Sequence, residues 1–269
     1  MIIAEQFVKG KHDEATCEDG IVATAHFVAA IDGSTSKGVR RVDPEKSNGR
    51  LCMEVVADYI RHMDAETSLD DFCEGVTKAI HDIYVERGFT GSEPMAPVDR
   101  LCASAVVYSQ WRQEVWMIGD CHCIVDGKYY DNPKPYEIPI AKKRAEILKD
   151  ALANGATVEE LRRNDIGRES VLPILKEACK EQNKAYSVID GFPIPLQHVR
   201  VIKVKAPGTE IVLASDGYPR LMPTLRESEK ELERLLAEDP LCIGDNIATK
   251  GLKVGQKSFD DRSYIRLTS

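Results

Sequence analysis

The stretch IVLASDGYP, residues 211–219, is a short apolar and β-branched run that stops at Asp216-Gly217. Such a run reads as a strand, and Asp-Gly as the turn that ends it, so the pattern sets a carboxylate at a strand end. The same event recurs in VAAIDGSTS (28–36), VWMIGDCH (115–122) and KSFDDRSYI (257–265), which carry Asp32, Asp120 and the pair Asp260 and Asp261. Taken singly, each Asp is an ordinary turn residue that accepts backbone N–H bonds. As a set they imply more. Carboxylates gathered near a core repel one another and are tolerated mainly when hard cations neutralise them. Ligands that are all oxygen favour Mg²⁺ or Mn²⁺, and Gly33 after Asp32 would let the backbone approach a metal and offer its carbonyl.

Outward from these strand ends, residues 1 to about 32 read as two strands, one near the start and one from Ile21 to Ile31. Two one-sided helices follow. Leu51, Val55, Val56, Tyr59, Ile60 and Met63 share one face of the first, and Leu69, Phe72, Cys73, Val76, Ile80, Ile83 and Tyr84 that of the second. Ser68 with Asp71 resembles a start signal, although a capping box usually has Glu or Gln in the third position. Leu101 to Tyr108 and Glu114 to Val125 then predict an antiparallel meander, with Asp126-Gly127 as a tight turn before Lys128. From about 133 to 197 the chain is charged and mostly helical, bounded by prolines at both ends, and reads as an excursion from the sheet. Strands return at His198 to Val204, Glu210 to Ala214 and Ser263 to Leu267, with an acidic helix over Leu225 to Ala237. Strands in runs with helices paired between them fit an α+β sandwich better than a doubly wound parallel sheet. The expectation is a single domain over 1–269 with an inserted flap.

The chain has 269 residues, 43% of them apolar, and a net charge of −8. That is enough for a sizeable core, and it lacks the basic footprint of a nucleic-acid binder. No apolar run approaches the roughly 20 residues of a membrane span, and the first residues do not read as a signal peptide, so the expected location is cytoplasmic. The eight cysteines are spread through apolar segments and read as reduced, buried thiols. Cys121 and Cys123 form one close pair, but no second pair completes a zinc site.

The ordered motifs resemble the PP2C-like (PPM) family of metal-dependent protein phosphatases. Asp13-Glu14-Ala15, Asp32-Gly33, Ala103-Ser104-Ala105, Gly119-Asp120, Leu213-Ala214-Ser215-Asp216-Gly217 and Asp260-Asp261 follow one another as the family's motifs do. The resemblance implies a four-layer αββα sandwich of two antiparallel β-sheets flanked by helices, with the inserted flap at about 133–197 bordering the cleft. It implies hydrolysis of phosphate monoesters, most of all on phosphoserine and phosphothreonine proteins or on a small phosphate ester. Two Mn²⁺ or Mg²⁺ ions would activate a water. Asp32 would bridge them, Asp13, Glu14 and the Gly33 carbonyl would complete one side, Asp216 and Asp260 the other, and Asp120 would approach a third, weaker ion. Asp32, Asp216 and Asp260 would thus carry catalysis.

The sequence departs from the family in three places. Lys9 stands where an Arg usually grips the phosphate, with Lys11 as a substitute; lysine brings charge without the bidentate fork. Ser34 stands where eukaryotic members have a histidine acid, leaving that role to a metal-bound water or another group such as His122. The order Asp13-Glu14 reverses the usual Glu-Asp. Two other readings compete. One is a PP2C-like binding or regulatory module without turnover. The other is an enzyme of another class: a sugar kinase, which would need paired nucleotide motifs in a much longer chain, or a haloacid dehalogenase-like phosphatase, which would need an acid where Ala30 stands.

Overall fold

The central strands are apolar on both faces, and both faces are covered in the structure, a computed structural model that describes residues 1–89, 95–205 and 207–269. Ten strands form two antiparallel five-stranded sheets. One runs β1 (Ile2–Lys9), β10 (Arg262–Thr268), β9 (Glu210–Ala214), β6 (His122–Val125), β7 (Lys128–Tyr130). The other runs β2 (Asp19–Ala23), β3 (Phe27–Gly33), β4 (Ala103–Ser109), β5 (Glu114–Ile118), β8 (Arg200–Lys203).

Strand alternation assigns the layers. Val28 and Ala30 of β3, with Val106 and Tyr108 of β4, point into the space between the sheets and meet Leu213, Ile265 and Leu267 of the opposite sheet. Phe27, Ala29 and Ile31 point the other way, onto α1 (Asn48–Arg61) and α2 (Leu69–Glu86), where Val56, Ile60, Phe72 and Ile80 are fully buried. Each such side chain stabilises the fold by about 1.5–3 kcal/mol. On the far side, Val212, Ala214 and Tyr264 pack under Leu232 and Leu235 of α6 (Leu225–Glu238). The result is the expected α+β arrangement, two stacked antiparallel sheets with helices outside both. Asp71 does close a capping box at Ser68, its shorter carboxylate accepting the Ser68 N–H at 3.2 Å while the Ser68 hydroxyl accepts the Asp71 N–H at 3.1 Å.

Two expectations from sequence are corrected. The run from Ile21 to Ile31 is a hairpin and not one strand: the Thr24 hydroxyl accepts the N–H groups of His26 and Phe27, turning the chain between β2 and β3. The run from Glu114 to Val125 is broken as well. At Gly119 (φ +81°) the chain leaves one sheet and enters the other, so β5 and β6 are never neighbours and there is no continuous meander. A Cβ at Gly119 would stand 2.1 Å from the Ser104 hydroxyl, so close approach as well as φ demands glycine there. The Asp126-Gly127 turn has positive φ at both residues, as a two-residue hairpin requires.

Between β7 and β8 lie α3 (Glu137–Ala153), α4 (Val158–Arg163) and α5 (Ile166–Ala178). They are tied to the loop after α6 by Arg144. This fully buried guanidinium pairs with Asp165 at 2.7 Å and donates to the carbonyls of Leu241 (2.8 Å) and Ala248 (3.0 Å). Replacing it with Met strips Asp165 of its ion pair, leaving only the Arg168 N–H at 2.7 Å on that carboxylate, and takes this donor from those carbonyls. Arg144→Met should lower the unfolding free energy in urea by about 3–5 kcal/mol. All eight cysteines are buried and free. Among the described residues no helix is long and apolar enough to cross a membrane.

Candidate metal centre

Strand parity aims the first carboxylate. Val28 and Ala30 face the inter-sheet core, so Asp32, two residues on, faces the same space where the sheets diverge at the strand ends. Asp19 of β2 is its cross-strand partner and shares that face, and Ser104 of β4 flanks it on the other side. Asp120 arrives from the sheet crossing at Gly119 and Asp216 from the turn after β9. Carboxylate oxygens of Asp32, Asp120 and Asp216 all lie within 4.8 Å of one another.

Cations of the chain already hold the rim of this cluster. Lys134 Nζ lies 2.6 Å from Asp120, whose other oxygen accepts from the Ser104 hydroxyl at 2.6 Å. Lys11 Nζ lies 2.8 Å from Asp260, and Lys250 pairs with the same carboxylate. Asp261 is buried and accepts the backbone N–H groups of Lys11 (2.7 Å) and Glu18 (3.0 Å), fastening β1 and β2 to the start of β10. Glu18 accepts from the hydroxyls of Thr35 and Ser47. Asp19 differs from all of these: its Oδ2 is buried with no hydrogen-bond partner.

The electrostatics follow from that inequality. Burial, and then the charges of Asp216, Asp19 and Asp120, push the Asp32 carboxyl well above the usual range. Asp19 is pushed up to about 7 by burial, partly offset by a hydrogen bond from Ser215, with Asp261 and Asp216 adding to the rise. Burial also acts against charge on Asp120, but the adjoining Lys134 ammonium outweighs it and holds that carboxyl well below its ordinary value. Glu137, in the first turn of α3, is raised to about 8 by burial and by Asp120. Glu18, Asp19, Asp32, Asp120, Asp216, Asp260 and Asp261 thus gather around three ammonium groups, leaving excess negative charge. An orphaned carboxylate oxygen within such a set is donor chemistry suited to hard divalent cations, and these residues could hold them.

A pH dependence follows. Asp19 and Asp32 bind their protons more tightly folded than unfolded, so stability falls as pH rises from the unfolded value near 4 toward about 7. In EDTA the melting temperature should therefore fall between pH 5 and pH 7.5 through these groups, and Mn²⁺ should raise it more at pH 7.5. Scanning calorimetry at both pH values, repeated on Asp19→Asn, isolates the share of Asp19.

Not every residue expected from sequence reaches the cluster. Asp13 and Glu14 are exposed in the turn before β2, and Asp13 is engaged by the N–H (2.8 Å) and hydroxyl (2.9 Å) of Thr16. They precede the strand that enters the cleft, so the acidic pair beside Asp32 is Glu18-Asp19. Its order is Glu then Asp, the reverse of Asp13-Glu14. Lys9 is exposed at the end of β1 and its charge acts on Glu229 of α6, away from the cluster, whereas Lys11 lies within it. Gly33 closes β3, where a Cβ would meet the carbonyl oxygens of Gly49 (2.2 Å) and Glu18 (2.6 Å). His122 shares the outward face of β6 with Ile124, its ring against Tyr129, and burial lowers its pKa, which disfavours the imidazolium form. Lys134 and Lys250 were not signalled by any motif. A cavity of about 560 Å³ between α2 and residues 191–196 is mostly apolar and lies apart from the carboxylates.

No family model matches the chain, and no curated protein matches it at a significant level. Solved structures resemble it along its whole length. PppA of Pseudomonas aeruginosa, described as a key regulatory component of T6SS, is 14% identical, with 100% of this chain and 99% of that one covered and a TM-score of 0.48. The PPM Ser-Thr phosphatase MsPP of Mycobacterium smegmatis, in complex with cacodylate, is 16% identical over 99% of this chain and 98% of its own, with a TM-score of 0.45. The serine/threonine phosphatase Stp1 of Staphylococcus aureus is 15% identical over 100% and 95%, with a TM-score of 0.47.

Proposed function

We propose that the chain hydrolyses phosphate monoesters in a metal-dependent reaction, with phosphoserine and phosphothreonine proteins as its substrate class. The observation that carries this reading is the convergence of Asp32, Asp120 and Asp216 within 4.8 Å, beside the unpartnered Oδ2 of Asp19. Asp32, central to the cluster, would bridge two Mn²⁺ or Mg²⁺ ions. Asp19 and the Gly33 carbonyl would serve one side, and Asp216 and Asp260 the other. Bound there, the cations supply Lewis-acid charge that lowers the pKa of water and offsets the charge on a phosphoryl group.

The chain's own groups do the rest. Lys134 neutralises Asp120 from within, which leaves that carboxylate little call for a third ion. Lys11, on the rim at Asp260, is placed to orient a phosphate as a point charge, in the part left open by Lys9. Ser34 lines the cleft with a hydroxyl, while the Thr35 hydroxyl beside it donates to Glu18. The section from about 133 to 197 borders the cleft as a flap, Glu137, Tyr136 and Arg168 standing on its wall, and residues 1–269 work as one catalytic domain.

Hydrolysis of p-nitrophenyl phosphate and of a phosphothreonine peptide with Mn²⁺, with Mg²⁺ and with EDTA tests the proposal. Turnover with a divalent cation that EDTA abolishes is the expected result. Calorimetric Mn²⁺ binding without hydrolysis of either substrate would leave a metal-binding module in place of an enzyme.

A further inference from the structure

A second cavity, of about 240 Å³, opens beside the carboxylate cleft, and its wall has the opposite charge. Lys11, Lys37, Arg168, Lys250 and Lys253 line it, and no acidic residue does. In a chain of net charge −8 this is a local reversal of sign. Thr35, Lys37, Arg168 and Lys250 belong to the walls of both cavities, so the two are continuous.

The five cations are not equally engaged. Lys11 and Lys250 are paired with Asp260, and Arg168 donates to the carbonyl of Thr249 at 3.0 Å. The ammonium groups of Lys37 and Lys253 have no hydrogen bond or ion pair among the described residues. The cations come from separate parts of the chain: the loop after β1, the loop after β3, the first turn of α5 and the loop before β10. Mutual repulsion disfavours gathering them on one concave wall unless an anion is to be met there, and a focused positive potential in a cleft concentrates such ligands.

We infer that this cavity is a subsite for a second phosphate on the same substrate, borne by a peptide phosphorylated at two nearby residues. The inference rests on the proposed phosphatase reading, which sets the first phosphate at the carboxylate cluster. Lys37, Arg168 and Lys253 then face the second phosphate while Lys11 stays with the first. A lysine wall takes phosphate by charge, with little demand on the side chain that carries it.

The test is fluorescence anisotropy in Mn²⁺ with two labelled peptides that carry non-hydrolysable phosphonate analogues, one of phosphothreonine alone and one of phosphothreonine with a phosphoserine close by. The expected result is about tenfold tighter binding of the doubly phosphorylated peptide, as charge-assisted contacts to one more phosphate allow. That preference should vanish in Lys37→Ala/Lys253→Glu. The exposed Lys253→Glu variant alone should keep the wild-type melting temperature and p-nitrophenyl phosphate rate. Equal binding of the two peptides, or a preference that survives the double variant, overturns the subsite. If inorganic pyrophosphate binds as tightly as the doubly phosphorylated peptide, the cavity serves small bisphosphates and the peptide assignment is overturned. Because binding is read without turnover, a chain that shows the preference yet hydrolyses nothing refutes the phosphatase reading alone.

Discussion

Asp32→Asn is expected to lower manganese-dependent p-nitrophenyl phosphate hydrolysis by at least about 10³-fold and, in the same protein, to raise the melting temperature measured in EDTA. The two changes run in opposite directions for one physical reason. Asp32 faces the inter-sheet space with Asp19, Asp120 and Asp216 around it, and burial and those neighbours already push its carboxyl far above the ordinary range. A neutral amide of the same shape removes the repulsion, worth about 1 kcal/mol or more, hence about 2–4 °C in melting temperature. It also removes the carboxylate best placed to neutralise two cations. The check is calorimetry with and without Mn²⁺, alongside the rate. A variant that loses stability and activity together would mean that Asp32 serves the fold alone.

Asp19→Asn is expected to weaken Mn²⁺ binding by about 30-fold or more, whereas Asp13→Ala and Glu14→Ala should each stay within about twofold of wild type. Asp19 is buried, lies opposite Asp32 in the β2–β3 register and holds an oxygen with no partner, which a cation would satisfy. Asp13 already has two partners on Thr16, and Glu14 is exposed in the same turn. Isothermal titration of the three variants separates the two acidic pairs. If Glu14→Ala or Asp13→Ala matches the loss of Asp19→Asn, the assignment of the inner pair is wrong.

These two experiments fall on the boundary between what local sequence encodes and what it does not. Asp32 and Asp216 were legible because each ends an apolar run at Asp-Gly, and a strand's two-residue period then fixes the direction of its side chains. The helices were legible for the same local reason, down to Ser68 at the start of α2. The sheet crossing at Gly119 was not, because Gly119-Asp120 marks a break in the apolar run and only packing across the sandwich decides that β5 and β6 join different sheets. Asp13-Glu14 and Glu18-Asp19 stand five residues apart in one polar stretch, and the pairing of β2 with β3 selects the second. The ion pairs of Lys134 with Asp120 and of Lys11 with Asp260 join positions up to 249 residues apart, beyond any local pattern.

The most direct measurement is an anomalous difference map from crystals grown with MnCl₂, recorded at an energy where manganese scatters anomalously. The account predicts two peaks between the sheets, with Asp32 bound to both, Asp19 on one side and Asp216 on the other, and Lys134 still on Asp120. No peak in that space, with the carboxylates left to the lysines of the rim, would contradict it.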